Sequence, residues 1–495
     1  MLYRALRRIT EGRAEKIAVV DERRSLTFAR LFHEVEWAAA SLQVLGVRAG
    51  NPILLGVPPS ADFYVFFYAA CAIGATVIPV LPSGKIPTTI RDAHPVLAVG
   101  DPAFLKAAKT VCPDLRGAIN WDKATGFRFA EAMGSSFKRG KLIRQEKILA
   151  ILTSGTTGEP SLHFTTAETL LRHGELRAQV LGITADDVIL STRPFNNMSS
   201  IDAPVILPIV TGCKVVVRER FQRFEATDTL SRERVTVVYG VPIIFEMLAS
   251  VPSTYPADFS ALRLCVSGGA PLPRFVFEKF FKRFGIRIQQ RYGGTQFFPA
   301  FNFDTRGIPG TVGHVNGPFP MTVVSEKGKA LPPGTIGEIV LDFSKLKKPF
   351  WKSCLRENQD RRGKYIYTGD LGRIDAEGNL HIVGRKSPFI KVGGNRVAPA
   401  EVESVLRSHH KVKDTVVFAH RPGRNDESVR AIVVPSGRLT LQELLAHCSR
   451  NLDPYKCPRR IDFRNSLPRN AQGKVIRHQF QSTKPASRAG QHRPT

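Results

Sequence analysis

Along this chain short apolar runs alternate with stretches whose apolar positions recur every three or four residues, the pattern of strands and amphipathic helices stacked in layers. Residues 52–57, 76–81, 148–152, 188–191, 213–217, 235–239, 262–266 and 286–290 predict strands, most of them rich in β-branched side chains. Residues 28–45, with Leu31, Val35, Ala38, Ala39, Leu42 and Leu45 on one face and Gly46 as a stop, predict a helix, as do residues 61–73. Thr165 and Glu168 predict a capping box opening a helix whose buried face is Ala167, Leu171, Gly174, Ala178 and Leu181. Pro271 suits the first turn of another helix, with Phe275, Phe280, Phe281 and Phe284 as its core stripe. Strands alternating with helices predict an α/β fold of layered sheets with right-handed crossovers.

From Gly310 onward turn residues grow denser, and strands at 321–324, 337–341 and 380–383 predict a distorted β-subdomain. Helices at 400–408 and 439–452 with strands at 414–419, 429–434 and 460–464 predict a small α+β domain. The expected organisation is therefore a large N-terminal domain over 1–384, a small C-terminal domain over 385–480, and a tail over 481–495 whose Lys, Arg, Ser, Pro and Gly predict disorder. The apolar stretch 63–81 is interrupted by Gly74 and Pro79, which suits a buried helix running into a strand and not a membrane span. Residues 1–13 are basic without a following apolar core, so they do not read as a secretory signal. The 7 Cys form no C-x-x-C pair and no even framework, and a cytoplasmic location is expected.

The formal charge of +28 raises nucleic acid as a partner, but the chain carries no zinc-finger spacing, no RNA-binding aromatic signature and no basic helix suited to reading bases, so none is expected. The excess is uneven: residues 386–495 hold 21 Lys and Arg against 8 Asp and Glu, hence +13 of the total. A phosphate-bearing substrate or an acidic protein partner would each use that charge.

Candidate chemistry collects where strands end. The run at 148–152 breaks into Thr153, Ser154, Gly155, Thr156, Thr157 and Gly158, a loop of hydroxyls and free N–H groups that suits phosphate oxygens. It differs from G-x-x-x-x-G-K-[ST], because no Lys follows Gly158. Two further loops, Ser267-Gly268-Gly269-Ala270-Pro271 and Arg291-Tyr292-Gly293-Gly294-Thr295-Gln296, follow predicted strands, and open α/β sheets bind ligands beyond the carboxyl ends of their strands.

These loops, together with Y-T-G-D-L at 367–371, Gly384-Arg385 with I-K-V-G-G at 390–394, and Gly473-Lys474, resemble the ordered motifs of the adenylate-forming superfamily: acyl- and aryl-CoA synthetases, peptide-synthetase adenylation domains and firefly luciferase. The resemblance runs from Leu26 to Lys474. It implies that Thr153 to Gly158 hold ATP phosphates, and that Gly268, Gly269, Ala270, Pro271, Tyr292 and Gly293 line the adenine. It also implies that Asp370 and Arg385 reach the ribose. Lys474 and Thr295 take the catalytic places, and Gln296 stands at the magnesium position. Ser387 falls at a hinge about which a mobile small domain swings between two half-reactions. Lys391, Gly393 and Gly394 then face the thiol acceptor, either CoA or phosphopantetheine on a carrier protein.

The same resemblance assigns Phe195, Asn196, Asn197, Met198 and Tyr239 to the pocket for a small carboxylic acid. No acidic residue lies in 195–200 to hold an ammonium, so an amino acid is disfavoured and an aromatic or hydroxylated acid is expected, with a fatty acid as the alternative. The implied reaction is acid activation to acyl-AMP with release of pyrophosphate, then transfer to a thiol. The basic C-terminal part favours an acidic acyl carrier protein over free CoA. Two departures stand out: Ser161 where many members have Lys, and Gln296 where they have Glu, an exchange that keeps an oxygen ligand but removes its charge. They leave open a catalytically weakened relative that binds nucleotide or acyl ligand as a regulator.

Overall fold

The computed structural model describes residues 1–82, 86–127, 147–153, 161–356, 358–385, 390–392, 395–397, 399–420, 427–469, 475 and 480. The chain divides into two compact units, one of Met1–Leu272, Val276–Met321 and Leu341–Thr368, the other of Pro273–Phe275, Thr322–Val340 and Gly369–Thr495. The architecture is mixed α/β, as its alternating pattern predicts.

The first unit is built on two largely parallel sheets. One has eight strands in the order Phe301–Phe303, Ile288–Gly293, Leu264–Gly268, Val237–Gly240, Val188–Ser191, Lys214–Val217, Ile17–Val20 and Ser25–Thr27, antiparallel only at its two edges. The other has seven: Gly126–Phe127, Gly117–Asp122, Leu97–Gly100, Pro52–Gly56, Thr76–Pro79, Lys147–Thr153 and Ser161–Thr166. Their central strands are short Val, Ile and Leu runs buried on both faces, which is what helices packed on each side of a parallel sheet require. Phe245, Val276, Phe277 and Phe280 pack with Val216, Val238 and Cys265 in one such core.

Every residue of the helix Ala61–Ile73 is buried, because its sequence is apolar on all sides except at Asp62, whose carboxylate is paired with Arg23 and Arg24 and accepts from Trp121 Nε1. Ser60 caps its start and Gly74, at φ 88°, ends it in the left-handed region. Its two tyrosines keep their hydroxyls satisfied by donating to backbone carbonyls, Tyr64 to Pro204 at 3.1 Å and Tyr68 to Val205.

Several boundaries differ from the sequence expectation. Residues 161–166 form a strand paired antiparallel to Lys147–Thr153, so the helix starts later. Its cap is Thr166, whose hydroxyl accepts from Thr169 N, and not Thr165. The Phe-rich helix begins at Arg274, three residues beyond Pro271. Of its aromatics Phe277 and Phe280 enter the core, Phe275 stays exposed on the opposite face, and Phe281 is exposed at the rim, stacked on Phe277 at 6.4 Å.

A five-stranded sheet of Met321–Val324, Gly337–Asp342, Tyr365–Ile374, Arg361–Arg362 and Leu380–Arg385 forms the β-subdomain. In the second unit the helices Pro399–Ser408 and Leu441–Asn451 cover the sheet Val412–His420, Ser428–Pro435 and Arg460–Phe463, with Val402, Leu406, Val417, Val433 and Leu444 between them. Thr440 and Glu443 make a reciprocal capping box. Among the described residues no helix is long and apolar enough to cross a membrane.

Candidate active site

Three neighbouring parallel strands end together. Their register sets Tyr239 beside Val266, Gly240 beside Ser267 and Gly268 beside Arg291, so the carboxyl ends carrying Tyr239, Gly268 and Tyr292 line up along one edge. Gly268 is buried, whereas Gly269, Ala270 and Pro271 are exposed just past the strand end. Gly269 has φ +82°, a conformation other residues resist, and this turns the chain away from the sheet. A Cβ on Gly294 would lie 2.6 Å from the Phe297 ring, so close passage of that ring demands glycine there. Phe297 in turn lies 5.7 Å from the Tyr292 ring. Residues 269–271 are exposed and Tyr292 is buried at the end of the next strand, the places the resemblance gives to the adenine.

Thr295 and Gln296 sit in a single 3₁₀ turn, Thr295–Phe297. Gln296 is exposed, and its backbone carbonyl accepts from Asn358 Nδ2 at 2.9 Å. Among the described residues no group of three or more His, Cys, Asp or Glu could hold a metal.

Thr153 ends its strand directly opposite Ser161. Ser154, Gly155, Thr156, Thr157 and Gly158 lie outside the described residues, as do Ser387, Gly393, Gly394 and Lys474. Lys391 lies in the short strand Ile390–Val392, paired with Asn395–Val397. Asp370 is buried in the strand Tyr365–Ile374 and is the cross-strand neighbour of Arg385, so antiparallel pairing brings the two expected ribose contacts together.

Of the expected acid-pocket residues, Phe195 is buried against Phe63 and Tyr64, with ring centroids at 4.8 and 5.8 Å. Asn197 caps the short helix Met198–Ile201 through its side-chain oxygen. Asn196 is half-buried, Met198 buried. Sequence reasoning missed what lies next to them. The helix Ala167–Leu181 presents His173 and Arg177 to the interior, and Arg177 binds Asp202 through both nitrogens, Nη1 to Oδ1 at 2.7 Å. Arg291 donates from Nη2 to the same carboxylate at 3.1 Å. Arg193 donates to Ser199 Oγ at 3.1 Å and lies 3.5 Å from Asn197 Oδ1. The signal was present: His173 and Arg177 sit four apart on the face that carries Gly174, Ala178 and Leu181, where only apolar residues are expected.

Electrostatics of the cluster follow from its depth. Burial pushes the Asp202 carboxyl up, but Arg177 and Arg291 outweigh it and hold the group well below the usual carboxylate range. Burial pulls Arg291 down to about 10 despite Asp202, and lowers Arg193 as well. The Tyr239 hydroxyl is raised by burial and stays protonated. His173, fully buried beside Arg177, is driven well below its ordinary value of 6.5 and is neutral. Above about pH 6.5 His173 is neutral folded and unfolded alike. Below it the unfolded chain takes up a proton that the folded chain refuses, so stability falls as pH falls. His163 and His409 are lowered too and share the sign, so the test is a difference. Urea titrations between about pH 6.5 and 5 should show a shallower pH dependence for His173→Gln, by up to one proton or about 1.4 kcal/mol per pH unit. Identical slopes would mean the imidazole is protonated in place.

Set beside known proteins, residues 6–348 match the family described as AMP-binding enzyme and residues 401–474 its C-terminal domain. A feruloyl-CoA synthase from Amycolatopsis sp is 26% identical over 468 residues, covering 92% of this chain and 93% of that protein. A medium-chain fatty-acid–CoA ligase from Escherichia coli strain K12 is 28% identical over 497 residues, covering 93% and 86%. Among solved structures, o-succinylbenzoate CoA synthetase from Bacillus subtilis in complex with its acyl-adenylate intermediate superposes with a TM-score of 0.82 at 23% identity, covering 97% of this chain and 98% of that one.

Proposed function

The chain belongs to the AMP-binding enzyme family of adenylate-forming proteins, and we propose that it is an AMP-forming acid–CoA ligase. It activates a small carboxylic acid with ATP and magnesium to acyl-AMP, releases pyrophosphate, and passes the acyl group to the thiol of CoA. The observation that carries this reading is the alignment of Tyr239, Gly268 and Tyr292 at adjacent strand ends in a chain matched along both family domains. Relatives whose names are CoA ligases support CoA as the acceptor.

In this reading the 153–158 loop holds the ATP phosphates, the 268–271 turn and Tyr292 take the base, and Asp370 with Arg385 takes the ribose. Lys474 in the 385–480 domain stabilises the charge that builds as carboxylate oxygen meets the α-phosphate. Asn196 and Asn197 offer amides to a polar or hydroxylated acid, and Asp202, occupied by Arg177 and Arg291, is not free to hold an ammonium. The test is pyrophosphate release across an acid panel, with mass detection of acyl-AMP, run with CoA and separately with acidic acyl carrier proteins. Acylation of a carrier but not of CoA would reassign the acceptor. ATP binding without pyrophosphate release from any acid would replace the ligase reading with that of a nucleotide-binding regulator.

Gln296 supplies a sharper check. With a neutral ligand at the metal position, half-maximal pyrophosphate release should need more magnesium than it does in Gln296→Glu, which restores a carboxylate at the same side-chain length. Magnesium titration of both proteins reads this directly. Equal requirements would remove Gln296 from the metal site.

A further inference from the structure

Arg177, Arg193 and Arg291 converge beside the acid pocket, and a single carboxylate, Asp202, answers all three. Asp202 spends one oxygen on Arg177 and shares the other between Arg177 and Arg291. Arg193 is left with the neutral oxygens of Ser199 and Asn197. His173 is neutral and adds nothing to the balance. The cluster thus keeps two positive charges that no carboxylate among the described residues matches, in a place where an unmatched charge is costly.

The polar atoms around it also lack partners. Arg177 Nε, Arg291 Nε and the Tyr239 hydroxyl are buried without a hydrogen-bond partner among the described residues. All three can donate, and strand register puts Tyr239 and Arg291 on one face of the sheet, where Tyr239 lies beside Val266 and Arg291 beside Gly268, two residues further along the same strand. A lining of unused donors with surplus positive charge is complementary to an anion. Arg193 keeps part of its surface open and is held by Ser199 and Asn197, so an anion bound to it leaves the Asp202 pairs in place.

We infer that the acid taken by this pocket carries a second anionic group, a dicarboxylate whose far carboxylate is bound by Arg193 with Arg291 and the Tyr239 hydroxyl beside it. This rests on the ligase reading and names its substrate class. A planar guanidinium meets a carboxylate with two parallel bonds, which an amide or a methyl group in the same place cannot accept. The near carboxylate remains free to attack the nucleotide, so the far one sets selection and not chemistry.

The experiment compares matched acids on the full-length protein: a dicarboxylate of four to eight carbons, its mono-amide, and the monocarboxylate of equal length. Pyrophosphate release should favour the dicarboxylate in kcat/KM by about 10- to 100-fold, the usual worth of hydrogen bonds to a charged group. Arg193→Gln should bring the ratio of dicarboxylate to mono-amide toward one. Arg193→Lys, which keeps charge but loses the fork, should retain an intermediate ratio. A wild-type preference for the mono-amide or monocarboxylate, or a ratio unaltered in Arg193→Gln, overturns the inference and leaves the ligase reading standing. Should no acid release pyrophosphate, the ligase reading fails, and thermal melting with the dicarboxylate alone decides the inference. A rise in wild type that Arg193→Gln lacks supports it, and no rise overturns it.

Discussion

Lys474→Ala should lose about a hundred- to a thousandfold in acyl-AMP formation, the typical cost of removing one stabiliser of charge developing in a transition state. Thiol transfer from supplied acyl-AMP should survive nearly intact. The asymmetry follows from the chemistry of the two steps. Attack of a carboxylate on the α-phosphorus presses two anions together, and a cation between them lowers that barrier. Attack of a thiol on a mixed anhydride expels AMP and does not need the same bridge. On the proposed reading the two steps use two arrangements of a mobile small domain, and Lys474 serves only the first. Single-turnover measurements, one from acid and ATP, the other from synthetic acyl-AMP and CoA, read the two steps separately. Equal losses in both would remove the division of labour from this chain.

Asp202→Ala should destabilise the protein by about 3–5 kcal/mol, the range for deleting one partner of a buried ion pair. The carboxylate is 1% exposed and is the anion for Arg177, itself buried, and for Arg291. Without it three guanidiniums would face one another in the interior. Urea unfolding at neutral pH measures the loss. A double variant, Arg177→Met with Asp202→Leu, removes the main pair together and should recover much of it, since hydrophobic replacements of a buried pair are often neutral. A loss below about 1 kcal/mol in Asp202→Ala would show that water reaches the cluster and screens it.

The parallel strands were legible because Val-, Ile- and Leu-rich runs such as 214–217 and 264–268 need no distant partner to declare themselves. Ser161–Thr166 was not. Its alternation S-L-H-F-T is short and runs straight into the helix pattern, its side chains are mostly half-exposed, and it is a strand because Lys147–Thr153 pairs with it. Pro271 misled as a helix start because L-P-R follows at once, so that Pro273 stands directly before Arg274. In the candidate site, motifs with glycine and hydroxyls announced the nucleotide edge. The charge cluster did not announce itself, because Arg177, Arg193, Asp202 and Arg291 are widely separated in sequence and meet only once the eight-stranded sheet and its helices have packed.

The hold that Tyr64 and Tyr68 keep on the carbonyls of Pro204 and Val205 bears on how this pocket can diversify. The segment after Asp202 hangs from a helix buried on every side, so a substitution there perturbs the interior of a sheet it does not belong to. Between Arg193 and Ser199, Phe195 and Met198 are buried, whereas Arg193, Asn196, Asn197 and Ser199 are half-open and bonded mostly to one another. A lineage changing its acid would accumulate replacements at those four positions while 202–207 stayed nearly frozen, and a directed library confined to them would sample new specificities with the fewest unfolded clones.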